Sequence, residues 1–496
     1  MSSQNPSTSD GNSINASSLI ERLSPQLVYW AIASSLAGFL FGFDTVVISG
    51  AEQAIEIAWR LYTSIIPQHV WMHLVHGVVV HKVIPIQYIA SPFDGVVVAS
   101  ALYGTIVGAL LGGIPSDAFG RKKSLIAIGV LYVISALWSG VAHDPLSFMV
   151  ARILGGLGVG MSTVVAPVYI SEIAPPAHRG RLTGLFQFNI VFGIIIAQGS
   201  NALLGHFLKG DIAWRWMFGV AAIPSLIYVL MCFGLPESPR WLLLKGRRTE
   251  GVDVLGKVMP GLTGTALTDE ADEIERASKT PLNGSGAFFS RRLIKPIMLA
   301  FLIAFFNQWS GINAVLYFSK RIFQSAGMTD QQALNAGVGL GIANLIFTIV
   351  GLYLIDRVGR KTLLIIGSIG YIASLSLTAW SFSSGNYALV PWFVYAFIGS
   401  HAVGQGAVIW VYISEIFPPQ FRANGQALGC GTHWVMAALI STYFPRATGL
   451  FSPTSIFLFF AFMMVLQLIW SLTMVVETKG IPLEEVQEKL GIQALA

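Results

Sequence analysis

Two ionisable residues lie inside long apolar stretches of the sequence, where a charge is unusual. Asp44 lies near the end of the first apolar stretch, and Arg152 lies near the start of the fourth. A charge surrounded by hydrocarbon is costly, so such residues are functional candidates by default. A pair between them would lower the cost of desolvating each charge. Two interpretations stay open: a static structural ion pair, or a proton switch in which protonation of Asp44 frees Arg152.

Amide and aromatic side chains form a second group of candidates inside the apolar stretches. A neutral amide offers both hydrogen-bond donors and acceptors, which suits an uncharged polyhydroxyl ligand, and tryptophan adds a flat apolar face. Each amide taken alone is more often a contact between helices. Their distribution over both halves of the chain favours a shared pocket. These residues are Gln187, Asn189, Asn307, Gln308, Asn313, Asn344, Gln405, Trp410, His433 and Trp434.

The elements that carry these residues are apolar stretches long enough to cross a membrane. Hydrophobic residues make up 54% of the chain and charged residues 11%, whereas a soluble domain carries about 25% charged residues. The bilayer is therefore the expected solvent, and each span must be helical because lipid cannot satisfy an open backbone. Twelve spans are predicted, at residues 27–49, 93–115, 124–142, 146–170, 182–204, 216–235, 296–319, 333–355, 361–382, 390–416, 425–444 and 453–476.

The basic residues predict the orientation of these spans. With the N-terminus in the cytoplasm, most Lys and Arg residues fall on the cytoplasmic side, as the positive-inside rule requires. Both termini are then cytoplasmic, and the chain is a multi-pass protein of the cell membrane. The net charge of +5 is accounted for by this placement, so a nucleic-acid partner is not expected. The Ser- and Asn-rich start has no basic segment and does not resemble a signal peptide.

The two halves of the chain repeat each other at a nearly constant separation. Asp117 to Lys122 returns as Asp356 to Lys361, and Tyr169 to Pro176 returns as Tyr412 to Pro419. Glu237 returns as Glu477. Duplicated bundles place their substrate between the halves, near the midplane. The predicted order is a cytoplasmic tail (1–26), a six-helix bundle (27–235), a cytoplasmic linker with short helices (236–295), a second six-helix bundle (296–476) and a cytoplasmic tail (477–496).

The repeated segments also supply charges at the cytoplasmic ends of the helices. Paired charges there would link the halves when the protein is closed inside and part when it opens. An exposed pair contributes only about 0–1 kcal/mol, so a network of pairs would bias the equilibrium modestly. The alternative is a topology signal without a gating role. The predicted gate pairs are Asp117 with Arg121, Glu172 with Arg179, Glu237 with Arg240, Asp356 with Arg360, and Glu415 with Arg422.

Together these motifs resemble the sugar porter family of the major facilitator superfamily. The segments that carry the resemblance are Gly42 to Gly50, Arg152 to Gly160, Pro236 to Leu242, Asn307 to Asn313 and Glu477 to Gly480. The resemblance implies an all-α membrane protein with twelve helices in two pseudo-symmetric six-helix bundles. It also implies import of a monosaccharide, a hexose or pentose, together with a proton by alternating access. A facilitative sugar uniporter is the main alternative, and a polyol or inositol carrier and a nutrient sensor are less favoured.

The resemblance also assigns roles to single residues. Gln187, Gln308, Asn313, Asn344 and Trp410 would contact the sugar, and Asn307 stands at the first position of a usual Gln-Gln doublet. His433 and Trp434 would form a rim on helix 11. Asp44 stands where proton-coupled members have an aspartate, which makes Asp44 and Arg152 the expected proton-coupling pair.

Several functions are not predicted by the sequence. It contains no ATP-binding loop and no nucleophile–base signature, so neither an ATP-driven pump nor an enzyme is expected. No cofactor and no metal are predicted. The expected partners are a monosaccharide, a proton and the lipid bilayer, and the protein is expected to be monomeric.

The first outer loop, residues 54–92, is long and apolar and departs from the family pattern. His69, His73 and His76 are spaced to share one helical face. The spacing predicts an interfacial helix or lid with its histidines toward water, and a zinc or pH-sensing site is the alternative.

Overall fold

The computed structural model describes residues 24–492, apart from 67–68, 76–77, 85–86, 176–177, 263 and 280–287. Long helices dominate this part of the chain, as the sequence predicts. They are α1 (Pro25–Ala58), α2 (Pro92–Leu111), α3 (Arg121–Val141), α4 (Pro145–Ile173), α5 (Arg179–Phe207), α6 (Asp211–Phe233), α7 (Arg291–Tyr317), α8 (Asp330–Val358), α9 (Arg360–Ser384), α10 (Tyr387–Ile416), α11 (Arg422–Leu450) and α12 (Pro453–Thr473).

Eleven of the described helices are long and apolar enough to cross a membrane. The remaining long helix, α11, has 29 residues, which is enough for a span of about 20 residues. It is less apolar than the others because it carries Arg422, Gln426 and His433. Counted with α11, the described helices match the twelve predicted spans.

The helices begin where the sequence supplies caps. Ser24, Ser91 and Asp144 each precede a proline, and each side chain accepts a hydrogen bond from a backbone N–H in the first turn. Proline suits this position because its missing N–H would have no helical partner. Thr329 forms a capping box with Gln332 at the start of α8. These caps satisfy N–H groups that would otherwise lack partners at helix ends.

The helices pack as two bundles of six. In the first half, α1 packs along α5 and α2 packs along α4; in the second half, α9 packs along α12 and α7 along α11. Glycines permit these close approaches. A Cβ atom on Gly42 would lie 1.8 Å from the Ile190 oxygen, and one on Gly156 would lie 1.8 Å from the Ala101 oxygen.

The two bundles meet along two helix pairs, α2 with α11 and α5 with α8. Because consecutive long helices alternate in direction, the described chain begins and finishes at the same end of the assembly. This end is called the terminal end below. The opposite end carries residues 59–91 and is called the insert end.

Three of the long helices are interrupted, and α6 consists of Asp211–Gly219 and Ala222–Phe233. In α7, Gly311 has a φ of +88°, which ends the helical segment at Trp309 before a new one begins at Ile312. In α10, Ala402–Gly406 forms a π-helical segment. Such segments often mark functional positions within helices.

Short helices lie at the terminal end, between α2 and α3, between the two bundles and after α12. They are Gly113–Phe119, Pro239–Leu244, Arg248–Val258, Thr265–Lys279 and, after α12, Leu483–Lys489. Leu243, Leu255 and Ala271 join three of them in a small separate core. The linker with short helices was predicted between residues 236 and 295.

The long loop at the insert end is a correction to the sequence analysis. It forms strands β1 (Tyr62–Ile66), β2 (His69–Val75), β3 (Val78–Ile84) and β4 (Gln87–Ala90), with β1 antiparallel to β4 and β2 antiparallel to β3. The prediction of an interfacial helix with three histidines on one face is therefore wrong. The many β-branched residues of this segment favour strands over helix. His76 lies outside the described residues.

Candidate functional site

The Asp44 and Arg152 side chains form a buried ion pair between α1 and α4. One guanidinium nitrogen of Arg152, Nη1, donates to Asp44 Oδ1, and Nη2 donates to Oδ2 over 3.1 Å and to the Asp44 backbone oxygen over 3.2 Å. Arg152 is 2% exposed and Asp44 8%. This two-pronged geometry is the strongest form of an arginine–carboxylate contact. The predicted pairing of these residues is therefore present.

The surroundings of this pair are partly apolar and partly polar. The Arg152 guanidinium lies 5.1 Å from the centre of the Phe218 ring. Gly155 brings α4 close to the pair, because a Cβ there would lie 2.4 Å from Ser135 Oγ and 3.8 Å from Asp44 Oδ1. Arg152 Nε and Ser135 Oγ are buried without a hydrogen-bond partner among the described residues. Among the described residues Asp44 is the acidic group paired with Arg152, so losing its charge would leave the Arg152 guanidinium buried without a counter-charge.

A connected amide cluster lies where α7 is interrupted. Gln308 Nε2 donates to Asn307 Oδ1 over 2.9 Å, and Asn313 Nδ2 donates to Gln308 Oε1 over 2.8 Å. The Gln308 amide nitrogen also lies 3.1 Å from Nε2 of His433 on α11. The amides before and after the break come within hydrogen-bond distance because position 311 is a glycine. A Cβ there would lie 2.7 Å from the Phe460 ring.

Aromatic rings surround the amide cluster on the side of α10 and α11. The His433 ring centre lies 5.2 Å from that of Trp410 and 4.8 Å from that of Trp434. Phe41, one turn before Asp44 on α1, lies 5.7 Å from Trp434. The rings therefore extend from the amide cluster in the second bundle to the helix that carries Asp44 in the first.

Six of the eight predicted substrate residues are joined by these contacts. The other two, Gln187 on α5 and Asn344 on α8, make no hydrogen bond to the cluster among the described residues. The Asn344 side chain instead accepts a hydrogen bond from Thr348 over 3.4 Å. Two other amides bind neighbouring helices: Asn189 donates to Ser35, and Gln405 donates to Gln467.

The charges at the terminal end of the first bundle form one network. Arg121 at the start of α3 pairs with Glu172 on α4 at 3.0 Å and with Asp117 at 2.8 Å. Glu237 accepts hydrogen bonds from the backbone N–H groups of Arg121 and Lys122. A carboxylate at a helix N-terminus is stabilised by these donors and by the helix dipole.

The second bundle repeats this network. Arg360 at the start of α9 pairs with Glu415 at 2.8 Å and with Asp356 at 3.1 Å. Glu477 accepts hydrogen bonds from the backbone N–H groups of Arg360 and Lys361. Partial burial raises the pKa of Glu477, but the backbone donors around it lower that pKa by more, so it lies below its ordinary value.

Three of the five predicted gate pairs are not formed. Glu172 pairs with Arg121 instead of Arg179, Glu415 pairs with Arg360 instead of Arg422, and Glu237 accepts backbone N–H groups instead of the Arg240 guanidinium. Arg179, Arg240 and Arg422 are exposed. In these three cases the glutamate does not pair with the arginine that follows it in sequence, because its carboxylate faces the buried N-terminus of α3 or α9. Among the described residues, these networks stay within one bundle.

The insert end, in contrast, carries an ion cluster that joins the two bundles. Arg321, in the helix Ser319–Ser325 after α7, pairs with Glu52 at 2.6 Å and with Glu56 at 2.6 Å. Both carboxylates lie on the last turns of α1. Asp94 on α2 is also wholly buried. The sequence analysis missed this cluster because it ended the first span at residue 49. The spacing of Glu52 and Glu56 by four residues, directly after an apolar run, was the available signal.

Comparison with known proteins gives the family. Residues 30–490 match the model of the family described as sugar (and other) transporter. The arabinose-proton symporter of Bacillus subtilis (strain 168) is 33% identical over 471 residues, which cover 93% of this chain and 94% of that protein. The glucose transporter GlcP of Staphylococcus epidermidis (strain ATCC 12228 / FDA PCI 1200) is 33% identical over 466 residues, which cover 92% and 96%.

Solved structures agree with this match. The inward open conformation of the xylose transporter from E. coli superposes with a TM-score of 0.79 and 27% sequence identity. The superposition covers 93% of this chain and 99% of that one.

Proposed function

This chain belongs to the sugar (and other) transporter family, with the major facilitator fold, and we propose that it imports a monosaccharide together with a proton. The relatives named above carry arabinose, glucose and xylose, of which arabinose and xylose are five-carbon sugars. A hexose or pentose is therefore the substrate class. Transport is secondary active, by alternating access, and the protein belongs in the cell membrane.

The observation that carries this proposal is the path of contacts from the amide cluster to α1, the helix that carries Asp44. Gln308 contacts His433, His433 contacts Trp434, and Trp434 contacts Phe41. Phe41 lies one helical turn before Asp44. A sugar held by these amides and rings would sense the position of α1, and α1 carries the titratable group. This is the arrangement that coupling between a sugar and a proton needs.

The neutral amides define the chemistry of the sugar site. Asn307, Gln308 and Asn313 present donors and acceptors without a net charge, which suits the hydroxyl groups of a sugar. Trp410 and Trp434 supply flat apolar faces for the ring. Gln187 on α5 in the first bundle and Asn344 on α8 in the second would complete the sugar site from the two helices that meet between the bundles.

Asp44 is the proton site and Arg152 its counter-charge. With Asp44 ionised, the pair is neutral and the two charges are satisfied. Protonation of Asp44 leaves Arg152 buried without a counter-charge, which is costly. This cost favours the conformation in which Arg152 finds another partner, so proton binding and the movement of the bundles are linked.

We infer that this conformation corresponds to the inward-facing state and that both termini lie in the cytoplasm. Two contacts support closure at the insert end: the Arg321 cluster, and Tyr103, whose hydroxyl lies 2.7 Å from Thr442 Oγ1 across α2 and α11. At the terminal end the described ion pairs stay within one bundle. The terminal end is then the cytoplasmic end, and residues 27–235 and 296–476 are the two units that move. One chain contains both units, so a monomer suffices for transport.

The test of this proposal is uptake of labelled L-arabinose, D-xylose and D-glucose by a host that lacks its own carriers, with and without an uncoupler. Accumulation of one sugar above the outside concentration, abolished by the uncoupler, is the expected result. Uptake that only equalises the two concentrations and ignores the uncoupler would make the protein a uniporter. No uptake of any of the three would overturn the substrate class.

A further inference from the structure

The ion cluster at the insert end contains more acidic than basic groups. Glu52 and Glu56 on α1 share the guanidinium of Arg321, and both pairs cross from one bundle to the other. Asp94 on α2 is the third carboxylate. The four side chains are buried, with Glu52 and Asp94 0% exposed and Glu56 2% exposed. Three carboxylates and one guanidinium leave two carboxylates without a counter-charge.

Asp94 is the member with the least compensation. Neither of its carboxylate oxygens has a hydrogen-bond partner among the described residues, and neither does Oε1 of Glu56. Backbone hydrogen bonds tie the start of α2 to the last turn of α1: Leu61 N–H donates to the Glu56 oxygen and Ser91 N–H donates to the Leu61 oxygen, each over 2.8 Å. Asp94, whose N–H donates to Ser91 Oγ, therefore lies at the same end as the Glu52–Glu56–Arg321 cluster. An ionised carboxylate buried in this way is very unfavourable, and such a group takes up a proton instead.

The other described ionisable groups on the elements packed around the cluster form no ion pair with it. Lys320 pairs with Asp330, and Arg152 pairs with Asp44. On α5 and α6, Lys209 and Arg215 donate to backbone oxygens. Arg446 on α11 and Arg60 after α1 make no ion pair with a described residue. Within the described part of the chain, Arg321 is therefore the one cation paired with this cluster.

We propose that Glu52, Glu56, Asp94 and Arg321 form a second proton-binding site, distinct from Asp44, which takes up as many as two protons when the bundles close at the outer end. The proposal rests on the proposed function for its orientation. When the bundles part at this end, water reaches the carboxylates and they ionise near neutral pH, since ordinary values for Asp and Glu are about 4. The protons return to the side from which they came.

The direction of the pH effect follows from this difference in bound protons. The closed state holds more protons than the open state, so lower outer pH favours closure. If both protons are taken up together, the ratio of closed to open molecules changes by as much as ~100-fold per pH unit. A proton exchanged at this site carries no charge across the membrane, unlike the proton assigned to Asp44.

The measurement is the distance across the outer end in the full chain, in lipid nanodiscs without sugar. Spin labels are attached at His143→Cys in the first bundle and Asn386→Cys in the second, both exposed positions, with Cys232→Ala and Cys430→Ala. The pH is varied from about 5 to about 9, around the ordinary range for carboxyl and histidine groups. The expected result is a short distance at low pH and a growing long-distance population at high pH.

Neutral variants test which groups bind the protons. The variants Asp94→Asn and Glu56→Gln should each remain closed up to a higher pH than the parent. In each variant the ratio of closed to open molecules should change by at most ~10-fold per pH unit. The double variant should lose the pH dependence, because Glu52 and Arg321 remain as a neutral pair. Asp211→Asn, which removes an exposed carboxylate at the same end, should follow the parent. Size-exclusion profiles identify any variant that misfolds, and the other single variant then carries the test.

The outcomes separate this proposal from the proposed function. In an Asp44→Asn background the outer distance should still respond to pH, although accumulation of sugar is lost. A parent chain whose outer distance ignores pH would overturn the second site, as would Asp94→Asn and Glu56→Gln curves that match the parent. A response to exchange of Na⁺ for K⁺ at constant pH, without a response to pH, would assign the site to a metal cation and overturn the proton assignment.

Discussion

At the scale of single residues, the proton exchange proposed for Asp44 would make transport active instead of only facilitative. Its carboxylate satisfies two nitrogens of Arg152, and few other groups compensate that guanidinium. A carboxylate that must bind a proton in one conformation and release it in the other needs a partner such as Arg152, whose charge is compensated mainly by that carboxylate. Under the proposed function, the pair would act as a proton switch as well as a structural bridge between α1 and α4.

The variant Asp44→Asn keeps the shape of the side chain but cannot exchange a proton. With one proton per sugar, a membrane potential of ~100 mV supplies ~2.3 kcal/mol, which supports roughly 50-fold accumulation. We expect the variant to lose this accumulation and to keep sugar exchange, both measured with labelled sugar in vesicles. Asp253→Asn, at an exposed linker carboxylate, should accumulate normally. Continued accumulation by Asp44→Asn would contradict the assignment.

Gln308 occupies the centre of the amide cluster, with contacts to Asn307, Asn313 and His433. We expect Gln308→Ala to raise the KM for sugar by about 5–30-fold, since a lost hydrogen-bond partner costs about 1–2 kcal/mol. Initial-rate uptake measures this change. Asn386→Ala, at an exposed amide far from the cluster, is the control. An unchanged KM in Gln308→Ala would remove the amide cluster from the sugar site.

At the scale of elements, the interruption of α7 positions the amides on both sides of Gly311. The residue combines a left-handed backbone with close contact to Phe460. Gly327 has nearly the same conformation, with a φ of +85°, but nothing lies near its missing Cβ. A comparison of substitutions at these two glycines therefore separates the effect of backbone strain from the effect of steric overlap.

We expect Gly327→Ala to lose about 1–2 kcal/mol of stability, the cost of a left-handed alanine. Gly311→Ala should lose more and should also reduce uptake, because the Phe460 ring must move. Thermal unfolding of the purified proteins and sugar uptake measure the two effects. Equal losses in both variants, with normal uptake by Gly311→Ala, would show that the contact with Phe460 does not matter.

The start of α9 is held by Glu477, whose pKa lies below its ordinary value. A lowered pKa in the folded state gives stability that is present above the unfolded value, about 4.3, and is lost as the pH falls through the folded value. We therefore expect Glu477→Gln to lower the Tm at neutral pH, with a difference from the parent that shrinks below about pH 4. Glu485→Gln is the control at an exposed carboxylate. A difference that grows in acid would contradict this.

Some of this architecture could be predicted from the sequence, and some could not. The spans, the duplication and the Asp44–Arg152 pair follow from apolar length and from the cost of a charge in lipid. The partners of Glu172 and Glu415 could not be predicted in this way, because each partner is an arginine on a helix that is adjacent in space and is not the nearest arginine in sequence. The Arg321 cluster was not predicted because the first predicted span ended at residue 49, before Glu52 and Glu56, and because Arg321 lies 269 residues after Glu52 in the chain.

At the scale of the whole molecule, the two ends of the assembly differ. The bundles are joined by buried ion pairs at the insert end, whereas the described ion pairs of the terminal end stay within one bundle. Alternating access would reverse this difference. Both bundles anchor a helix N-terminus with a glutamate, Glu237 or Glu477, so each can move as a unit while its inner network stays intact.

The most direct test of sugar–proton symport is proton movement in vesicles that contain the purified protein, with no imposed pH gradient. Sugar is added outside, and the outside pH is followed. The account predicts that the medium becomes more alkaline as sugar enters, and that Asp44→Asn abolishes this change. Sugar influx without any change in pH would contradict the account and make the protein a uniporter.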